Sequence, residues 1–311
     1  MKFASLHAIL ALGACFVMLY QGHRPVGAAL ADSWPSTSPV TGLRADSFSS
    51  DIELVNLETV IPLAGTHAHN DYENERPLFD ALQYGFTTIE ADVYLIEGEL
   101  YVSHSYPLFL RPDRSLRHLY LEPLWQLVRQ NNGSVYPRYS QPIYLMIDVK
   151  TDAVATYEKL KEELAVYRDM LSFCHNGRVS NKAVSVFISG NRPIEQMEQE
   201  THRLMGVDGR LADLGKNYPS HLMPVISDRF SKIFPPKLFG KRLGPTELEH
   251  LRQVILQTHQ EGKCLRLWDS PEDEAVWTKL LEAGLDIINT DELEKLQRYL
   301  LNRRKRNTAR I

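Results

Sequence analysis

Thr88-Ile89-Glu90-Ala91-Asp92-Val93-Tyr94-Leu95 places two acids, two residues apart, inside an otherwise apolar, β-prone run. Side chains alternate along a strand, so Glu90 and Asp92 share a face. Charge inside an apolar strand is costly unless it is paired or metal-bound. The same pattern recurs on both sides. A candidate strand Pro62–His67 runs into Thr66-His67-Ala68-His69-Asn70-Asp71, with His67 and His69 pointing the same way. Ile143–Val149 ends in Met146-Ile147-Asp148-Val149-Lys150, so Asp148 and Lys150 share a face. Five more short apolar runs follow: Ala183–Ser189, Gly209–Ala212, Met223–Ser227, Cys264–Trp268 and Ile287–Thr290. Helical patterns separate most of them, over Pro77–Tyr84, Ala153–Tyr167, Thr246–His259 and Glu272–Ala283, the last stopped by Gly284. Glu99–Ser103 reads as a hairpin partner for the second strand. Alternating strands and helices predict a parallel sheet, and eight strands over residues 59–302 predict one (β/α)₈ TIM barrel in the α/β class.

In such a barrel the C-terminal strand ends carry the chemistry. Here those ends bring Glu90, Asp92, Asp148, Lys150, His67, His69 and, from the hairpin, His104 to one mouth. Two carboxylates at i and i+2 with a third from the next strand make a compact set of hard oxygen ligands. That set suits Mg2+ or Ca2+ rather than Zn2+. The plain structural alternative, an Asp148–Lys150 ion pair, leaves the remaining ionisable groups in these strands without an explanation.

The 311 residues are 43% hydrophobic and 24% charged, ordinary values for a globular chain. A net charge of −4 excludes a general nucleic-acid surface. Lys2, the apolar stretch His7–Tyr20 and Ala29-Leu30-Ala31 have the three parts of a secretory signal peptide, residues 1–31. This predicts an exported protein; the competing reading is an uncleaved N-terminal anchor. Residues 32–58 read as a linker and 303–311, with Arg303-Arg304-Lys305-Arg306, as a solvated basic tail. Of three cysteines, Cys15 would leave with the signal, and Cys174 and Cys264 are either bonded or two buried thiols.

His67-Ala68-His69-Asn70-Asp71-Tyr72-Glu73-Asn74, Ile89-Glu90-Ala91-Asp92-Val93, His104 and Asp148-Val149-Lys150-Thr151 together resemble the phospholipase-C-like phosphodiesterase superfamily. The nearest group is the "altered inheritance of mitochondria protein 6"-like proteins, related to glycerophosphodiester phosphodiesterases and sphingomyelinase D. Ile188-Ser189-Gly190-Asn191-Arg192-Pro193, Trp268 and Ile288-Asn289-Thr290-Asp291 extend the resemblance over about residues 60 to 300. It implies a phosphoric diester hydrolase acting on a glycerophosphodiester or phospholipid, with an ion on Glu90, Asp92 and Asp148. It makes His69 and His104 the general base and acid, and water or a neighbouring substrate hydroxyl the nucleophile. The superfamily's Ala-His-Arg-Gly motif aligns with Ala68-His69-Asn70-Asp71, so its phosphate-contacting arginine is Asn70 here, and Lys150 is the substitute cation. His67 is a partner supporting the metal ligands, a phosphate contact or a core histidine, and Trp268 is an apolar wall over the substrate or core filling. Two rivals stand: an amidohydrolase-like zinc hydrolase, which would begin with His67-x-His69 but needs histidines at strands five and six, and a non-catalytic barrel that binds phosphorylated ligands. Residues 106–120, rich in Leu, Arg and Pro, could gate the mouth or touch a membrane; no pattern reads out an oligomeric state.

Overall fold

The computed structural model describes residues 54–235 and 243–308. Residues 1–31, read as a signal peptide, and most of those read as a linker lie outside these. Eight parallel strands close on themselves in the order β1 (Leu63–Ala68), β2 (Phe86–Ile96), β4 (Ile143–Val149), β7 (Val184–Gly190), β9 (Met205–Gly209), β10 (Val225–Arg229), β11 (Cys264–Trp268) and β12 (Ile287–Thr290), with β12 pairing back to β1. The short β3 (Glu99–Val102) lies antiparallel on β2 as the expected hairpin.

Helices cover the outside: α1 (Phe79–Gln83), α2 (Glu122–Gln130), α3 (Ala153–Val166), α4 (Ile194–Gln199), α5 (Pro245–Gln260), α6 (Glu274–Ala283) and α7 (Leu293–Thr308). The Asp152 carboxylate caps α3 by accepting from Ala155 N–H, and Asp273 caps α6 by accepting from Ala275 and Val276 N–H. Gly284 ends α6 at φ +99°, a conformation that suits glycine. The main core lies between strands and helices, where Leu160, Leu164, Leu251, Trp277 and Leu296 pack on outward residues such as Ile89, Ala91 and Ile147. A second, smaller cluster of Tyr144, Met146, Phe187, Val225, Cys264 and Ile287 fills the barrel interior. Register explains the division. Met146 pairs with Glu90 and Phe187, and Asp148 with Asp92 and Ser189. One apolar layer inside the barrel is therefore followed, two residues further along the strands, by a polar one.

Four expectations need correction. The fifth strand is Met205–Gly209, not Gly209–Ala212. Its two glycines thin the apolar signal because the next connection crowds them: a Cβ on Gly206 would sit 3.0 Å from Pro224, and one on Gly209 2.4 Å from Met223 Sδ. The sixth strand is shifted to Val225–Arg229. Val55 and Leu57, assigned to the linker, are buried against the barrel. The tail expected from Arg303 is instead the continuation of α7 to Thr308. A small antiparallel sheet of β5 (Phe173–His175), β6 (Arg178–Ser180) and β8 (His202–Arg203) precedes β7 and β9 at the N-terminal end of the barrel, and its strands of two or three residues carry no pattern. Cys174 lies in it as a buried free thiol, so the Cys174–Cys264 bridge is excluded.

Candidate active site

The ends of β1, β2 and β4 and the loop after β3 bring Glu90, Asp92, Asp148, Lys150, His67, His69 and His104 together. One oxygen each of Glu90, Asp92 and Asp148 lies within 4.8 Å of the others. Asp92 Oδ1 and Asp148 Oδ1 are buried with no hydrogen-bond partner. Lys150 Nζ stands 2.9 Å from the other oxygen of both aspartates. Lys150 and the Arg266 guanidinium, 3.6 Å from Glu90, against three crowded carboxylates still leave the cluster short of positive charge. Two unpartnered buried oxygens in an all-carboxylate set fit a hard divalent cation. Burial, and then the Glu90 charge, push Asp92 up to about 6. Burial likewise raises Asp148, against the pull of Lys150. Gly190 makes the close approach of β7 possible: its φ is +67°, and a Cβ there would fall 2.0 Å from Asp148 Oδ1.

Glu90 is held differently. Burial opposes its charge, but the hydrogen bond from His67 and the Arg266 guanidinium outweigh burial and hold it down at about 2. His67 Nε2 lies 2.9 Å from Glu90 Oε2 and 2.5 Å from Arg266 Nη1. Burial and Arg266 push this histidine down to about 4, so it is neutral near pH 7. A neutral ring carries one proton, so Nε2 serves Glu90 as donor or Arg266 as acceptor, one at a time. His67 is fully buried below the carboxylates, so of the readings offered for it the structure favours a core histidine that partners Glu90 over a phosphate contact. Arg266 also donates to Ser227 Oγ (2.9 Å) and Asn289 Oδ1 (3.0 Å).

The two other histidines flank the carboxylates. His69 Nε2 is 3.9 Å from Glu90 Oε2, and its Nδ1 is 2.8 Å from Asp291 Oδ1. Burial works against protonation of His69, but the bond to Asp291 and the Glu90 charge raise its pKa overall. His104 Nδ1 is 3.9 Å from Asp92 Oδ2 and 3.1 Å from the Tyr72 hydroxyl. That hydroxyl is 2.7 Å from both Asp92 Oδ2 and Asn70 Oδ1. Burial and Asp92 raise Tyr72, which keeps its proton. Asn70 thus joins Tyr72 to His69 Nδ1 (3.2 Å). Trp268 lies further round the rim, half-buried, with the Arg229 guanidinium 5.2 Å over its ring. Beside Lys150 a cleft of about 670 Å³ is lined by Thr151, Asp152, Gly190, Asn191 and Arg192.

Tyr72, Arg266 and the partnership of Asp291 with His69 are what the sequence reading missed. Arg266 had a usable signal, being a cation inside the apolar run Cys264-Leu265-Arg266-Leu267-Trp268. Asp208 had the same signal but was hidden by the misplaced fifth strand. It is buried, and it accepts from Ser189 Oγ (2.8 Å) and Arg210 Nη1 (2.7 Å). The partners of Tyr72 depend on a turn that brings it back to β2, and nothing local reveals that.

Barrel and site define the class, a phosphoric diester hydrolase on a TIM barrel. Residues 56–208 match the AIM6-like phosphodiesterase domain. It is 27% identical over 268 residues to the altered inheritance of mitochondria protein 6 homolog of Arthroderma benhamiae, covering 77% of this chain and 84% of that one. Against altered inheritance of mitochondria protein 6 of Eremothecium gossypii it is 27% identical over 273 residues, covering 76% and 69%. Among solved structures, the glycerophosphodiester phosphodiesterase of Agrobacterium tumefaciens superposes with a TM-score of 0.42 at 15% identity, covering 75% of this chain and 97% of that one.

Proposed function

We propose that the chain hydrolyses small or lipid phosphodiesters with one Mg2+ or Ca2+ on Glu90, Asp92 and Asp148, and with His69 and His104 as general base and acid. The observation that carries this reading is the pair of buried, unpartnered oxygens, Asp92 Oδ1 and Asp148 Oδ1, beside Glu90. The bound ion would supply positive charge to a non-bridging phosphate oxygen as negative charge develops there. Asp291 accepts the Nδ1 proton of His69 and so leaves Nε2 free to take the proton of the attacking hydroxyl as its oxygen bonds to phosphorus. On the other side, His104 has Nδ1 tied to Tyr72, so its Nε2 proton passes to the leaving oxygen as the second P–O bond breaks. Lys150, Asn191 and Arg192 line the neighbouring cleft, where they would hold the charged end of the substrate. Asn70 contributes no charge of its own, and Lys150 is the cation that stands nearest the carboxylates.

The test is hydrolysis of bis(p-nitrophenyl) phosphate and a lysophospholipid panel, with EDTA, Mg2+, Ca2+ or Zn2+, beside His69→Ala and Asp92→Asn. Turnover that requires Mg2+ or Ca2+ and vanishes in both variants is expected. Activity with Zn2+ alone would favour the amidohydrolase-like chemistry. No turnover from folded protein would favour a binding barrel.

A further inference from the structure

The loop that follows His104 carries the most exposed apolar side chains among the described residues. Tyr106 is 61% exposed, Leu108 86%, Phe109 84% and Leu110 37%. Elsewhere exposed large apolar residues such as Ile61, Val154, Val179 and Leu256 occur singly, which is ordinary for a soluble surface. A contiguous apolar tip is not ordinary and marks a contact surface.

The tip stands on a fixed base at the catalytic mouth. Tyr106 packs edge-to-face on Tyr94 of β2, with ring centroids 5.7 Å apart, and the Tyr94 hydroxyl donates to His104 O at 3.3 Å. At the far end Ser115 bridges to Tyr101 of β3, and Arg114 Nη2 donates to Tyr72 O at 3.0 Å. Both feet therefore rest on residues that touch the site, while residues 108–110 project from between them. The charge of this segment is opposite to that of the chain. Residues 105–118 hold three arginines (111, 114 and 117) against one aspartate, Asp113, in a protein of net charge −4. Arg111 pairs with Asp113 at 2.5 Å and Arg117 lies 3.9 Å from Glu163. An apolar tip with an arginine-rich collar suits a surface that is apolar inside and anionic at its headgroups.

We infer that residues 106–111 dock this protein on anionic phospholipid bilayers, with Leu108 and Phe109 entering the acyl boundary and the exposed Arg111 facing headgroup phosphates. This rests on the proposed phosphodiesterase reading and narrows its substrate class to phosphodiester lipids met at a membrane. No helix among the described residues is long and apolar enough to cross a membrane, so the contact is peripheral on their account.

The experiment uses the full chain and vesicles of phosphatidylcholine and phosphatidylserine at about 4:1. Phe109→Trp should blue-shift on vesicle addition and be quenched by brominated lipid beyond the unsubstituted chain, which already has four tryptophans. The pair Leu108→Ser and Phe109→Ser should lower turnover of lipid in vesicles at least tenfold and leave turnover of soluble bis(p-nitrophenyl) phosphate unchanged. Absence of extra quenching at position 109, or unchanged vesicle turnover in the double variant, overturns the inference. So does a double variant that only loses self-association in sedimentation, which would make the tip a protein interface. Quenching at position 109 in a chain that turns over no diester leaves the docking standing and removes the phosphodiesterase reading instead.

Discussion

Single side chains divide into those that do the proposed chemistry and those that make a charged barrel interior tolerable, and the two kinds should fail differently. Asp291 is of the first kind: it orients His69 through one 2.8 Å bond and is itself 59% exposed, so little packing depends on it. Asp291→Asn should lower kcat by roughly 100-fold or more, within the range set by loss of acid–base catalysis, with an unchanged urea midpoint. A midpoint that falls together with kcat would show a structural role instead. Arg266 is of the second kind: it is buried, 3.6 Å from Glu90 and 3.9 Å from Asp208. Removing one member of a buried ion group leaves the others uncompensated. Arg266→Met should therefore lower unfolding free energy by about 3 kcal/mol in urea titration, and a loss under about 1 kcal/mol would mean that the guanidinium is not what holds Glu90 ionised. The difference in kind also governs what could be read in advance. Glu90, Asp92 and Asp148 were legible because acids at i and i+2 in apolar strands have no ordinary explanation. Arg266 carried the signal of a cation in an apolar run, but its partner and that of Asp291 were not legible, because those contacts span 199 and 222 residues of chain.

Among the elements, β2 and β4 were legible to within two residues because apolar and β-branched residues surround their acids on both sides, whereas β9 was not because close packing with Met223 and Pro224 demands glycines. The three-residue strands of the lower sheet carry too little periodicity to be seen at all. One clip between elements is open to a pH test. His259, near the end of α5, lies 2.9 and 3.0 Å from the two oxygens of Asp286, which also accepts from Leu265 N–H of β11. The bond to Asp286 raises His259 above its ordinary 6.5, in spite of burial. A histidine raised in the folded state adds stability that is full below 6.5 and is lost as pH rises through the folded value. Urea midpoints taken at pH 5.5 and 8.5 should therefore show wild type losing more stability than His259→Gln over that span. Equal slopes for the two proteins would show that the pair contributes nothing.

At the scale of the whole molecule, the barrel concentrates its unpaired charge at one end. The interior next to the N-terminal rim is apolar, with Tyr144, Met146 and Phe187, while the mouth holds three carboxylates within 4.8 Å and one bridging lysine. The closed sheet was legible from alternation alone, since eight short strands separated by helices have few other ways to bury themselves. Its consequence for stability was not, because it depends on how close three strand ends come once the barrel shuts. Like charges held together oppose folding, and a cation that binds only the folded state reverses this by mass action. Mg2+ or Ca2+ at one hundred times its dissociation constant should add about 2.7 kcal/mol. For a chain of this size that corresponds to roughly 4–5 °C in Tm, readable by scanning calorimetry without any substrate. Asp92→Asn supplies the control: it retains an oxygen that can accept from Tyr72 and Lys150 but removes one charge from the cluster. In EDTA this variant should melt at or above the temperature of wild type, and with cation it should melt below it. That crossing is the signature of a site built for an ion at the expense of the empty fold. If wild type shows no shift with either cation, or if Asp92→Asn melts lower under both conditions, the carboxylates are a structural ion network centred on Lys150 and Arg266, and the metal is not part of this protein.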